Sequence, residues 1–356
     1  MKLINFQIKE FRSVFDSTPV EVGDITCLVG KNEAGKTAIL QALYKLNPIV
    51  TKAARYSVID DYPRTEVKDY EFDVSNKKRN PATVATAQFR LDPAELKSFE
   101  ENLGKGAFTS DILTLSRGYA GNMTVDPKLD ESLIFAHLIS KKALPADLIA
   151  KLKACEDETQ FLKVLGGAER TAAVNELITL FTEIKEARGL LLWVFDKFIE
   201  PRVPLFLYFD EYYQLQGCSN LQSLKERQEQ DKLLDSDYPL LGLISTARLS
   251  FDELINPKRT RELKNTLQAA SVHLTKKIIS YWSQNKYIQL QFDVRDGRPE
   301  DPAGMKNGPN IWGEVYDSKH FVTTEMATRS RGFVWFFSFL AWYSWCDSPP
   351  VRHFPA

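Results

Sequence analysis

The first part of the chain alternates between apolar and polar residues, which is typical of β-strands. A turn containing Arg12 and Ser13 separates the first two alternating segments, and the basic segment 76–80 separates the last two. We interpret this basic segment as the solvated tip of a hairpin. The predicted strands are residues 2–9, 20–30, 69–74 and 83–91.

From Asp92 onward the apolar residues follow the spacing of helices. A helix is predicted to begin at Pro93, and a hairpin over residues 112–125 interrupts the helical pattern. The pattern then continues from residue 129 to about residue 198, and the longest helical stretch is residues 168–200. We interpret this region as an insertion of paired helices. A short antiparallel coiled coil is one form it could take, although no heptad repeat is sustained.

The last third of the chain mixes both patterns and completes the prediction of a mixed α/β protein. Its predicted strands are residues 204–211, 287–294 and 311–315. Its predicted helical regions are residues 251–285 and 333–344, and residues 296–310 form a loop rich in Gly, Pro and Asp.

The composition is that of a soluble globular protein, with 44% hydrophobic and 26% charged residues. The sequence has no apolar stretch of transmembrane length, so we expect a cytoplasmic protein without membrane contact. A net charge of −1 gives no overall attraction to nucleic acid. The four cysteines and four histidines have no metal-binding or disulfide spacing. Cys27 is predicted to be a small buried residue of its strand.

Residues 30–37 read Gly-Lys-Asn-Glu-Ala-Gly-Lys-Thr, a complete match to the phosphate-binding pattern G-x-x-x-x-G-K-[ST]. A predicted strand precedes them, and a helix is predicted to begin at about Lys36. The unpaired N–H groups and the dipole of that helix end attract phosphate. Lys36 can reach the β- and γ-phosphates, and the Thr37 hydroxyl can ligate Mg²⁺. The predicted nucleotide contacts of this loop are Gly30, Asn32, Glu33, Ala34, Gly35, Lys36, Thr37 and Ala38.

A second polar turn precedes the apolar helix at residues 333–344. It reads Arg329-Ser-Arg-Gly332, and the start of a helix is again a possible anion site. Ser330 could equally be no more than a helix cap.

In this order, the motifs resemble those of the ABC-class, AAA-type ATPases related to RecF and SMC proteins, and most closely the bacterial OLD-like group. The resemblance rests on the opening strand with Phe11-Arg12-Ser13, the glycine loop at 30–37 and Arg329-Ser-Arg-Gly-Phe333 as a signature motif. It implies a P-loop ABC-type head of mixed α/β fold, interrupted by the helical insertion. The implied domains are 1–94 and 287–345 for the head, 95–200 for the insertion, 201–286 for a strand with long helices, and 346–356 for an irregular tail.

In that family two heads face each other with nucleotide between them. The resemblance therefore implies ATP and Mg²⁺ as cofactors and a homodimer or higher oligomer. Ser330 and Gly332 would reach the nucleotide of the partner head, and Arg12 and Ser13 would lie near the nucleotide of their own head. A nuclease partner, DNA, and a role in DNA repair or phage defence are also implied by the resemblance.

The sequence departs from the family where a Walker B strand should follow the signature helix. The tail contains Pro349, Pro350 and Pro355, which a central strand does not tolerate. This tail predicts a chain truncated before Walker B. Residues 205–211, Leu-Phe-Leu-Tyr-Phe-Asp-Glu, have the local form of a rival Walker B, in which Asp210 would hold Mg²⁺ and Glu211 would be catalytic. The alternative is a buried strand with its carboxylates at an exposed end. The sequence thus leaves open an ATPase head, a non-hydrolysing nucleotide-binding module and a compact P-loop NTPase.

Overall fold

The computed structural model describes residues 1–155, 157–282 and 284–346. The chain divides into two compact units, Met1–Tyr208 and Phe209–Ala356, which are called the first and the second unit below. Within the described ranges, no helix has both the length and the apolar character needed to cross a membrane.

The first unit contains a sheet in which every strand pair is antiparallel. The strand order is β2-β1-β4-β5-β6, and β3 also pairs with β1. The strands are β1 (Lys2–Phe11), β2 (Val14–Asp16), β3 (Val20–Glu21), β4 (Thr83–Arg90), β5 (Phe108–Gly118) and β6 (Met123–Leu129).

Short helices cover this sheet, and several begin at a side-chain cap that the sequence supplies. Asp92 and Glu95 form a capping box at the start of α4, and Thr171 caps α8. The helices are α1 (Lys36–Leu46), α2 (Val58–Asp61), α3 (Val67–Ser75), α4 (Pro93–Leu103), α5 (Glu131–Ser140), α6 (Ala146–Lys153), α7 (Glu158–Gly166), α8 (Ala172–Glu186) and α9 (Leu190–Val194).

The sheet and the helices of the first unit share one hydrophobic core. Ile8 and Phe89 of the sheet and Phe161 and Phe181 of the helices all belong to it. The rings of Phe161 and Phe181 stack with centroids 4.4 Å apart. The helical region after β6 therefore belongs to the body of the first unit, and the predicted coiled coil is not confirmed.

The second unit has its own sheet and its own core. Strand β9 pairs in antiparallel fashion with the other three strands. The strands are β7 (Cys218–Asn220), β8 (Ile288–Asp296), β9 (Pro309–Asp317) and β10 (Val322–Glu325). The helices are α10 (Leu221–Glu229), α11 (Asp237–Thr246), α12 (Phe251–Ile255), α13 (Thr260–Ile279) and α14 (Arg331–Cys346).

Helices α11 and α14 cross closely because α11 carries a glycine at the contact. A β-carbon on Gly242 would lie 2.1 Å from the carbonyl oxygen of Ala341, so only glycine fits there. Phe337 and Trp342 of α14 are fully buried inside the unit, whereas Trp335 and Tyr343 are exposed.

Many of the predicted elements are present in the structure. Strands β1, β4, β8 and β9, the hairpin β5–β6, and helices α4 and α14 form where the patterns predict them. Helix α1 begins at Lys36, as the glycine-loop pattern predicts.

The predicted strand over residues 20–30 is wrong beyond Glu21, where β3 ends. Ile25 is 93% exposed and Val29 is 85% exposed, and Cys27 is exposed rather than buried. Alternation reports the preference of single residues for extended backbone, whereas a strand also needs a neighbour for its N–H and C=O groups. Strand β1 already pairs with β2, β3 and β4, and the last bond on this side is that of the Val22 amide to the carbonyl of Ile4. No described strand pairs with residues 23–30.

The predicted strand over residues 69–74 is also wrong, because these residues belong to helix α3. Val67, Tyr70 and Val74 follow the spacing of one helix face, and Tyr70 is buried. Phe72, which the alternating pattern placed beside them, is 59% exposed.

The predicted strand over residues 204–211 is reduced to one isolated parallel bridge between Phe206 and Pro48. The amide of Phe206 donates to the carbonyl of Asn47 at 2.8 Å, and Ile49 donates back to Phe206 at 2.9 Å. Glu211–Tyr213 is a 3₁₀ turn. The interpretation of the tail falls on residues 347–356, which lie outside the described residues.

Candidate functional site

The glycine loop ends at the N-terminus of α1, and no side chain caps this helix end. Gly35 is the N-cap residue and has a left-handed backbone with φ of 89°. The left-handed conformation costs glycine little, since glycine has no β-carbon. The first N–H groups of α1 therefore remain available to an anion, and the helix dipole adds to the attraction.

The side chain of Lys36 folds back over the glycine loop. Its Nζ atom donates to the carbonyl oxygens of Gly30 at 2.9 Å and Lys31 at 2.6 Å. This ammonium group is held only by neutral carbonyls, so no carboxylate compensates its positive charge. It lies where a phosphate bound at the helix end would need a counter-charge.

The remaining loop residues divide by exposure. Ala38 is buried at 8% exposure and anchors α1 in the core. The exposed positions are Gly30, Lys31, Asn32, Glu33, Ala34 and Thr37. The Thr37 hydroxyl has no hydrogen-bond partner among the residues that the structure describes, so it is available as a metal ligand. The loop thus fits a magnesium nucleotide.

The turn between β1 and β2 lies directly against the glycine loop. A β-carbon on Gly35 would lie 3.1 Å from Cγ2 of Val14 and 3.3 Å from Oγ of Ser13. The structure therefore brings Ser13 to the loop, a placement that the sequence could suggest only through resemblance.

Arg12, in the same turn, binds three groups through its side chain and main chain. Its guanidinium contacts the carboxylate of Asp61 and the side-chain oxygen of Gln41. Its amide donates to the carbonyl of Asp61 at 2.6 Å. Sequence reasoning missed Asp61 and Gln41. The spacing of Gln41 and Lys45 on α1 could have placed these two side chains on one helix face. No local sequence pattern predicts a role for Asp61.

The predicted signature residues lie at the start of α14 in the second unit. The Ser330 hydroxyl accepts from the amide of Phe333 at 3.4 Å, as a helix cap does. Gly332 is exposed and has open space where a β-carbon would be. A cavity of about 440 Å³ adjoins this helix end and is lined by Trp282, Gln284, Asn285, Thr324, Thr328, Arg329, Ser330 and Phe333.

The candidate Walker B residues also belong to the second unit. The carboxylate of Asp210 accepts from the amide of Tyr212 at 2.9 Å and caps the 3₁₀ turn. Glu211 is exposed. Lys36 and Thr37 belong to the first unit, whereas Asp210, Glu211, Ser330 and Gly332 belong to the second.

Within the described ranges, no group of three or more His, Cys, Asp or Glu side chains could hold a metal ion. Such a group is not needed for Mg²⁺ bound with a nucleotide, because phosphate oxygens and water supply most of its ligands.

Residues 1–161 match the family model of the AAA ATPase domain. The match covers rather less than half of the chain and includes the glycine loop and every strand of the first-unit sheet. The first unit is therefore similar to an AAA-type ATPase domain. Among curated proteins, no relative matches the chain.

One similar solved structure is the crystal structure of an SMC head (SmcHead) bound to the C-winged helix domain of ScpA. It is 13% identical, with a TM-score of 0.35, over 98% of this chain and 79% of that chain.

Proposed function

We propose that the glycine loop binds Mg-ATP and that the chain is an ABC-class ATPase head, related to RecF and SMC proteins and closest to the OLD-like group. The observation that carries the proposal is the position of the Lys36 ammonium over the loop, at a helix end without a side-chain cap. The match of residues 1–161 to an ATPase domain family supports it independently.

On binding, the main-chain N–H groups at the start of α1 donate to the phosphates. Lys36 exchanges its contacts with Gly30 and Lys31 for the β- and γ-phosphate oxygens. The Thr37 hydroxyl would hold Mg²⁺, and the ion would neutralise phosphate charge. The exposed residues Asn32 and Glu33 line the entrance of the loop.

The second part of the proposal is a dimer that closes around nucleotide. Ser330 and Gly332 lie at an exposed helix start and would contact the γ-phosphate held by another copy. A two-fold dimer places each such helix end opposite the complementary loop. By resemblance, closure would drive a DNA-related or nuclease-partnered process in DNA repair or phage defence.

ATP hydrolysis is proposed from the family resemblance. The position of Asp210 supports a second candidate function, a nucleotide-binding module that does not hydrolyse ATP. Its carboxylate is already engaged by the amide of Tyr212. Loss of a positioned catalytic carboxylate lowers turnover by about two to four orders of magnitude. A chain in which Asp210 and Glu211 play no catalytic part would act as a nucleotide-binding assembly module.

The test of nucleotide binding is the affinity of Lys36→Ala for a fluorescent ATP analogue with Mg²⁺, measured by anisotropy. We expect a loss of at least about tenfold, since a charge-assisted contact to phosphate is removed. Lys52→Ala is the control because Lys52 is a lysine of the first unit that is exposed and lies outside the glycine loop. Equal affinity of wild type and Lys36→Ala would overturn the proposal.

The test of dimerisation is the molar mass in solution, measured by light scattering with and without ATP. We expect mass to double with ATP in wild type and to stay monomeric in Ser330→Arg, whose ATP affinity should be unchanged in the monomer. A dimer in Ser330→Arg would contradict a role of this helix end.

A further inference from the structure

Asp61, the last residue of α2, is a buried carboxylate with an unusually full set of donors. Its side chain is 1% exposed. Oδ1 accepts from Nη2 of Arg12 at 3.1 Å and from Nε at 3.3 Å. Oδ2 accepts from Nζ of Lys45 at 2.5 Å and from the amide of Ser57 at 3.1 Å. A buried carboxylate is costly unless it is paired in this way.

These contacts join two segments that are distant in the sequence. Arg12 belongs to the turn after β1, and Lys45 belongs to the last turn of α1. Asp61 also holds the turn through its main chain, because its carbonyl accepts the amide of Arg12. Arg12 has a positive φ of 52°, which is uncommon for a residue with a β-carbon. Asp61 thus fixes both the backbone and the side chain of Arg12.

The guanidinium of Arg12 is held on two sides and is free on another. A guanidinium has five N–H donors, and the contacts with Asp61 and Gln41 use three of them. The others have no partner in the part of the chain that the structure describes. The Arg12 side chain is 43% exposed, so the remaining donors can reach a ligand.

The turn that carries Arg12 lies against the glycine loop. The next residue, Ser13, contacts the position of a β-carbon on Gly35. Gln41, which binds Arg12, lies five residues beyond Lys36 on α1, or about 7.5 Å along the helix axis. Arg12 and Lys45 together carry two positive charges against the one negative charge of Asp61. These three side chains therefore have a net positive charge, and Arg12 is the member whose turn lies against the proposed phosphate site.

We propose that Asp61 is a positioning residue that holds Arg12 as a second cationic contact, after Lys36, for a polyphosphate bound at the glycine loop. This inference rests on the proposed function. Asp61 does not touch the ligand itself. It acts through Arg12, by fixing the direction in which the free N–H donors point. The ligand class is a nucleoside polyphosphate, whose charge the outward donors can meet.

The test is a double-mutant cycle on the affinity for the fluorescent ATP analogue with Mg²⁺. We expect Arg12→Ala to weaken binding by about tenfold and Asp61→Asn by about fivefold. The double variant should bind like Arg12→Ala alone, because Asp61 acts through Arg12. The salt dependence of binding should fall by the same amount in both single variants, since both lose one charged contact.

Asp237→Asn is the matched control in the second unit. Asp237 is also buried, and it also accepts from an arginine fork, that of Arg227, and from a backbone amide, that of Leu234. The variant Asp237→Asn should lower thermal stability as Asp61→Asn does and leave the affinity for the ATP analogue unchanged. If Asp61→Asn does not fold, the variant Arg12→Lys tests whether the oriented guanidinium of Arg12 is needed for affinity. It keeps the charge but lacks the fork, and should lose nearly as much affinity as Arg12→Ala.

The outcomes separate the inference from the function on which it rests. If wild type and Lys36→Ala bind alike, both fail. If Lys36→Ala loses binding while Asp61→Asn or Arg12→Lys binds as wild type does, only the positioning role is overturned. Additive losses in the double variant would also overturn it, because Asp61 would then act independently of Arg12.

Discussion

The hydroxyl oxygen of Ser13 lies 3.3 Å from the position that a β-carbon on Gly35 would occupy. The glycine loop is therefore shaped by two segments, its own residues and the turn after β1. This contact explains why a motif contained in residues 30–37 depends on residues some twenty positions earlier.

The first prediction concerns Gly35→Ala. The left-handed φ of 89° is strained for alanine, and the methyl group would press on Val14 and Ser13. We expect the free energy of unfolding to fall by about 1–2 kcal/mol. We also expect ATP affinity to fall by more than about tenfold, because the loop must change shape to relieve the contact. Chemical denaturation and anisotropy measure the two effects.

Gly121→Ala serves as the control for that experiment. Gly121 also has a positive φ, of 84°, but a β-carbon there would meet nothing within 4 Å. The variant Gly121→Ala should introduce a similar backbone strain and leave nucleotide affinity unchanged. Equal losses of affinity in both variants would show that strain alone, and not the contact with Ser13, accounts for the result.

The second prediction concerns the metal. Thr37→Ala removes an exposed hydroxyl without a partner among the described residues, so the fold should keep its stability within about 0.5 kcal/mol. ATP affinity should fall by several-fold in Mg²⁺ and should equal that of wild type in EDTA. A loss that persists in EDTA would show that Thr37 does not act through the metal.

The third prediction concerns the carboxylates after Phe209. Glu211 is exposed and Asp210 caps a 3₁₀ turn, so we expect Glu211→Gln to keep the ATP turnover of wild type. A phosphate-release assay with excess Mg-ATP measures it. Abolished turnover with intact ATP binding would favour the compact NTPase in which Glu211 is catalytic.

The fourth prediction concerns His137 on α5. Burial lowers the pKa of His137 below its ordinary value of 6.5, and the nearby positive charge of Lys141 lowers it further. The unfolded chain therefore binds the proton more readily, and stability falls as pH drops below about 6.5 until the folded pKa is passed.

His137→Gln should remove this part of the acid destabilisation, measured as the difference in unfolding free energy between about pH 7.5 and about pH 5. His273→Gln is the control, because His273 is exposed on α13. A pH dependence in His137→Gln as steep as that of wild type would contradict the prediction.

Local sequence patterns predicted the elements whose formation depends mainly on contiguous residues. Helix α1 begins at Lys36 because a glycine at the N-cap and apolar residues at helical spacing are enough to start it. The hairpin β5–β6 forms where predicted because its strands pair with each other across a short turn. The predicted roles of Gly35, Lys36 and Thr37 also rest on contiguous residues of the glycine loop.

Two of the three wrong strand predictions failed because the outcome depends on partners elsewhere in the chain. Residues 22–30 and 204–211 have the composition of strands, yet the neighbours that their main chain would need are occupied or distant in the sequence.

No local sequence pattern around Asp61 predicts its pairing with Arg12, which lies 49 residues away. The sequence by itself thus determined the glycine loop and the helix behind it, because both are local. Only the tertiary structure decided which strands pair and which buried carboxylate holds the arginine beside the loop, because burial and pairing depend on which distant segments meet.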